Sequence, residues 1–256
     1  MEPKYEMPEE IKNKMKKYIL SHDITNGIKA INFIEIMKTH HGMIDVNRID
    51  DETWSDLKNP VVCALGDSVT AGHFEMIDIH KGLIAQNSEE CYAEKFLHMI
   101  HAVYPLTTSS LINSGIAGDN IHGMNKRLER DVLRYKPDLV ILNAVLNWSE
   151  HRGTLEEYIK NYEEVIFRIR TETSADVILT TGNGTLCIDE DGTDQRNEYI
   201  RETAEKHKLP LVDFRRIFDE SLKPEELVFT LSNHNNHPTP YAQTIMAMGL
   251  MQAVRE

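Results

Sequence analysis

A chain of 256 residues with 41% apolar side chains is long and apolar enough to bury a substantial core, which excludes disorder as its main state. Its 41 acidic against 28 basic side chains leave a formal charge of −13, which argues against nucleic acid or an anionic membrane surface as a partner. No run approaches the ~18 consecutive apolar residues of a membrane span, and the acidic start from Met1 to Glu10 does not read as a secretory signal, so a cytoplasmic location is expected.

Residues 1–56 read as an N-terminal helical extension. Ile11, Met15, Tyr18 and Ile19 share one helical face, a second apolar-rich segment runs from Ile24 to Met37, and no strand pattern intervenes. Pro60 disfavours helix at Asn59 and marks the join to a main domain spanning 57–256. The plain reading packs the extension on that domain; the sharper one makes it a substrate lid or a contact in a homo-oligomer. Strand-like runs follow at Val61–Leu65, Ser110–Ser114, Leu139–Leu146, Val177–Thr181 and Leu211–Phe214, alternating with segments of helical period. Leu155, Tyr158, Ile159, Tyr162, Val165, Ile166 and Ile169 give the clearest helical stripe, with weaker ones through Tyr92, Phe96, Ile100 and Val103, through Met124, Leu128, Val132 and Tyr135, and through Tyr241, Ile245 and Met251. Alternation of this kind predicts an α/β fold, a parallel sheet between two helical layers. The three cysteines, Cys63, Cys91 and Cys187, are widely separated and read as reduced thiols.

Gly66-Asp67-Ser68 directly follows the first strand. Alone the tripeptide is ordinary turn chemistry, but a serine at the C-terminal edge of a buried strand faces the crevice where open α/β sheets bind ligands. A serine hydroxyl needs a base to attack at neutral pH, and the oxyanion it creates needs donors already in place. After the second strand, Asn113 to Asn120 contains Gly118, whose N–H is a candidate donor; Asn147 follows the third strand and offers a side-chain NH₂. His237, in the loop from Asn233 to Pro238 before the last helix, is the candidate base, in a segment restrained by Pro238 and Pro240. His234 and His237 are three apart, but no third ligand at motif spacing accompanies them, so neither metal nor other cofactor is expected.

These four blocks, in this order, resemble those of the SGNH (GDSL-type) hydrolases over roughly residues 57–256. The resemblance implies a flavodoxin-like five-stranded sheet of order 2-1-3-4-5 and a serine carboxylic-ester hydrolase working through an acyl-serine intermediate. By the same resemblance Ser68 is the nucleophile and a backbone oxyanion donor, Gly118 N–H and Asn147 NH₂ complete the oxyanion hole, and His237 carries the proton. Small-molecule esters of short acyl groups are the implied substrates, acetylated carbohydrate first among them. Two departures stand out. Val145-Leu146-Asn147-Trp148 keeps only the asparagine of the usual Gly-Thr-Asn-Asp, leaving Trp148 as either an aromatic face for a substrate or a packing residue. The position three before the histidine, normally aspartate, is His234, which could orient His237 through a hydrogen bond but supplies no negative charge. Asp189, Asp191 and Asp194 are substitutes by loop position, whereas Asp213 reads as structural. That gap keeps two alternatives open on the same fold, a catalytically impaired ligand-binding domain and an acyltransferase. A working His237 is expected to give an apparent pKa around 6–7 in the rate profile.

Overall fold

The computed structural model describes residues 7–39, 59–78, 83–105, 107–186, 192–232 and 235–255. The first strand of the main sheet is β1 (Val61–Gly66), apolar throughout and buried on both faces. Val62 and Ala64 face one core and Cys63 and Leu65 the other, the two-residue period of a strand with helices on both sides. Two strands of a separate antiparallel pair follow, β2 (His73–Asp78) and β3 (Leu83–Gln86). The main sheet continues with β4 (Ser110–Gly115), β5 (Leu139–Leu142), β6 (Asp176–Thr180) and β7 (Leu211–Val212). All its pairings are parallel, in the order β4-β1-β5-β6-β7. Counting only these five strands along the chain, the order is 2-1-3-4-5, so the connections change direction around β1 and open a crevice at its C-terminal edge.

One face of the sheet is covered by α1 (Glu9–Ser21), α2 (Ile31–Thr39), α4 (Tyr92–Val103), α8 (Phe214–Ser221) and α9 (Pro240–Ala253), and the other by α5 (Ile121–Asp131), α6 (Leu155–Glu172) and α7 (Thr193–His207). A one-turn helix, α3 (Ser68–Ala71), follows β1. In α6 the predicted stripe is the buried face: Tyr158, Tyr162, Val165, Ile166 and Ile169 all enter the core, and a Thr154–Glu157 capping box fixes where the helix starts. Ile11, Met15, Tyr18 and Ile19 of α1, and Phe33, Ile34 and Met37 of α2, join the same core as α9. Between them the chain is extended and Thr25 bridges antiparallel to Val212 on the sheet edge. Tyr18 Oη donates to Glu220 Oε2 at 2.6 Å, and Asp176 accepts from Phe33 N at 2.9 Å. No described helix is long and apolar enough to cross a membrane.

Three elements differ from the sequence expectation. β5 stops at Leu142 rather than Leu146, because its pairing with β1 runs no further than Leu65 and the chain turns after Asn143 N bonds Leu65 O at 3.0 Å. β7 stops at Val212 because the Asp213 carboxylate accepts from Arg216 N at 3.2 Å and caps α8, which makes Phe214 the first residue of a helix. The β2–β3 pair had no expectation at all. Met76-Ile77 breaks the apolar/polar alternation of its first strand, and the pairing register shifts at the same place.

Candidate active site

Ser68 sits where β1 turns into α3. Asp67 caps the turn, its side chain accepting from Val69 N at 2.9 Å. The turn packs so tightly that a Cβ on Gly66 would lie 2.0 Å from Thr70 Oγ1, and one on Gly115 would lie 2.2 Å from Ala71 N, so glycine at both strand ends lets α3 settle onto the sheet. Gln243 of α9 ties this turn to the neighbouring helix, accepting from Tyr92 N at 2.9 Å and donating to Val69 O at 3.3 Å. Ser68 is thereby held on rigid backbone at 5% exposure.

His237 reaches the serine from a loop with its own bracing. Leu231 and Pro238 form an antiparallel bridge, Ser232 N donates to His237 O at 2.8 Å, and Thr239 N donates to Thr230 O at 2.7 Å. Asn183 Nδ2 adds a bond to Asn236 O at 2.9 Å. The ring is 5% exposed and its Nε2 lies 2.9 Å from Ser68 Oγ. Burial pushes His237 down to about 4, the charge of nearby His73 pushes the same way, and a hydrogen bond from the ring to the Phe74 backbone opposes both. Burial therefore points to an acid limb below the 6–7 expected from the sequence. His73 stands edge-on to His237 with ring centroids 6.0 Å apart. Its own proton affinity is lowered by burial, and its Nδ1 is buried without a hydrogen-bond partner.

Gly118 and Asn147 come together on the loops after β4 and β5. Both adopt left-handed backbone, φ +73° and 60°. A Cβ at Gly118 would meet nothing, so backbone conformation alone favours glycine there. Asn147 Nδ2 donates to Asp119 O at 3.1 Å, which links the two loops and sets the plane of the amide. Beneath them lies Arg127, 9% exposed, whose Nε donates to Asp119 Oδ2 at 2.7 Å. Its Nη1 reaches Ser114 O at 2.8 Å and Asp131 Oδ2 at 2.9 Å, and its Nη2 reaches Gly66 O at 3.0 Å. A single buried guanidinium therefore joins the ends of the strands that lead to Ser68 and to Gly118.

Of the residues singled out from sequence, Ser68 and His237 are in direct hydrogen-bond contact, and Asn147 bonds Asp119, the residue after Gly118. His234 lies outside the described residues, as do Asp189 and Asp191. Asp194 is 86% exposed and pairs with Arg215 at 3.5 Å. Asp213 is committed elsewhere, accepting from Thr181 Oγ1 and Arg201 Nε at 2.8 Å each. Trp148 packs edge-on to Tyr158, centroids 5.7 Å apart, and is buried, so it presents no open aromatic face. The sequence reading did not find His73, Phe74 or Arg127. A lone histidine, a phenylalanine acting through its backbone and an arginine on a polar helix carry no local motif.

Residues 64–245 match the family described as "GDSL-like Lipase/Acylhydrolase family". An acetylxylan esterase from Geobacillus stearothermophilus is 25% identical over 179 residues, 64% of this chain and 80% of the relative. The crystal structure of an acetylxylan esterase from that organism superposes with a TM-score of 0.62 at 20% identity, covering 76% of this chain and 94% of the other. A putative lipolytic protein of the G-D-S-L family from Desulfitobacterium hafniense DCB-2 gives 0.60 at 18% identity, covering 77% and 100%. A two-domain esterase active on acetylated mannans, co-crystallised with mannopentaose, gives 0.61 at 18% identity, covering 90% of this chain and 54% of that one.

Proposed function

The chain belongs to the GDSL-like lipase/acylhydrolase family and is an ester hydrolase, and from that premise we propose that it cleaves carboxylic esters through an acyl-Ser68 intermediate, with acetylated carbohydrate as substrate. The observation that carries the mechanism is the 2.9 Å contact between Ser68 Oγ and His237 Nε2 in a buried setting. Ser68 Oγ attacks the acyl carbon while His237 Nε2 takes its proton. Ser68 N–H, Gly118 N–H and the Asn147 amide hold the oxyanion, and the imidazolium then returns the proton to the departing alcohol. Water repeats the sequence on the acyl-serine and frees the acid. Burial weakens His237 as a resting base, but it also removes the water that would screen the attraction between imidazolium and oxyanion once both charges form. The Phe74 backbone contact favours the charged ring in that state.

The substrate class is supported by the acetylxylan esterase relative and by the mannan-active structural neighbour, both named for acetylated polysaccharides. A charge of −13 disfavours anionic esters and suits neutral sugars. In this reading residues 57–256 form the hydrolase domain and residues 1–56 an extension of it, of which Ile11, Met15, Phe33 and Met37 pack into the core beside α9. The experiment is hydrolysis of an activated acetyl ester, and acetate release from acetylated xylo- and manno-oligosaccharides, by wild type, Ser68→Ala and His237→Ala. Loss of about 10³-fold or more in kcat for both variants is expected; rates equal to wild type would refute the mechanism. A preference for long-chain esters over acetyl esters and acetylated sugars would refute the substrate class.

A further inference from the structure

Arg152 lies five residues beyond Asn147, on the exposed turn that leads into α6. Arg152 N donates to Ser149 O at 2.8 Å, which fixes the turn, and the side chain folds back over the two loops just described. Its Nη1 donates to Asn147 O at 2.9 Å and to Gly118 O at 3.1 Å. Among the described residues it forms no ion pair and enters neither apolar core. An exposed arginine normally spends its charge on solvent or a carboxylate; this one is given to the backbone carbonyls of the two residues that furnish the oxyanion donors outside α3.

We propose that Arg152 is a positioning residue that locks the Gly118 and Asn147 loops in register, so that both donors already point at the oxyanion site before charge develops there. The proposal rests on the acyl-serine reading of the site. Both residues hold left-handed backbone, which Asn147 tolerates less readily than glycine. Two side-chain bridges link the loops, Asn147 to Asp119 and Arg152 to the two carbonyls. Without the guanidinium the bond from Asn147 to Asp119 is left to hold the loops with less restraint, and misplacement of a donor by a fraction of an ångström weakens the bond that counts in the transition state. Binding of the neutral ester depends little on that bond. The effect therefore falls on kcat and not on KM.

The test compares wild type, Arg152→Ala, Arg152→Lys, Asn147→Ala and the Asn147→Ala/Arg152→Ala pair on an activated acetyl ester, with Tm measured for each. Arg152→Ala is expected to lose about tenfold to a hundredfold in kcat, with KM within about twofold and Tm unchanged. Arg152→Lys, whose ammonium can still bond one carbonyl, recovers part of the loss. Because Arg152 acts in part through Asn147, the double variant loses less than the product of the two single losses. Wild-type kcat in Arg152→Ala, no recovery in Arg152→Lys, or losses that multiply in the double variant would each overturn the proposal. An active Ser68→Ala would overturn the acyl-serine reading itself, whereas an inactive Ser68→Ala beside a fully active Arg152→Ala removes the role of Arg152 alone.

Discussion

His237 makes the acid side of the rate profile the most revealing quantity. Burial moves the ring from 6.5 to about 4, so at pH 5 roughly 90% of the enzyme holds the neutral base, against roughly 3% for an unshifted histidine. The two cases differ by about 30-fold in kcat/KM at that pH. The same shift bears on stability. Because the folded ring resists protonation, its contribution is fully present above about pH 6.5 and is lost as pH falls toward 4, on the order of 3 kcal/mol in all. The assay is kcat/KM for an activated acetyl ester from pH 3.5 to 8 at constant ionic strength, with denaturant midpoints recorded over the same range. His73 lowers the ring further, so His73→Gln should move the acid limb to higher pH. An apparent pKa at or above 6.5 in the wild type, or a limb unmoved by His73→Gln, would refute the reasoning.

Arg127→Ala removes the cation from a buried pair with Asp119 and Asp131 and should cost about 3 kcal/mol, or roughly 10 °C in Tm, together with activity; a Tm within 2 °C of wild type would contradict that role. Asp213→Asn should lower Tm through the lost Arg201 pair, since asparagine can still cap α8, while leaving the acid limb in place; a displaced limb would mean that Asp213 orients the histidine after all.

Much of the architecture could be read from short-range pattern. β1 and the stripe of α6 follow from apolar runs and a 3.6-residue period, because one strand and one helix bury themselves by rules local to their own residues. Ser68, Gly118, Asn147 and His237 could be singled out because each falls in a polar segment after an expected strand or before the last helix, and their order along the chain matched a known pattern. What stayed hidden depends on contacts between distant residues. Arg127 acts on Gly66 across 61 positions and Arg152 on Gly118 across 34, distances at which no window of sequence carries a signal. The end of β7 turned on one side chain, Asp213, choosing to cap a helix rather than extend a strand. His73 acquires meaning only because the β2–β3 hairpin, itself without a clean alternation, lays it beside His237.

The most direct measurement of the central claim is the mass of the enzyme during turnover. Rapid acid quench of wild type with an activated acetyl ester should give protein heavier by one acetyl group, with the added mass in the peptide that contains Ser68 and absent from Ser68→Ala. Unmodified Ser68, or an acetyl group carried equally by Ser68→Ala, would contradict the acyl-serine mechanism.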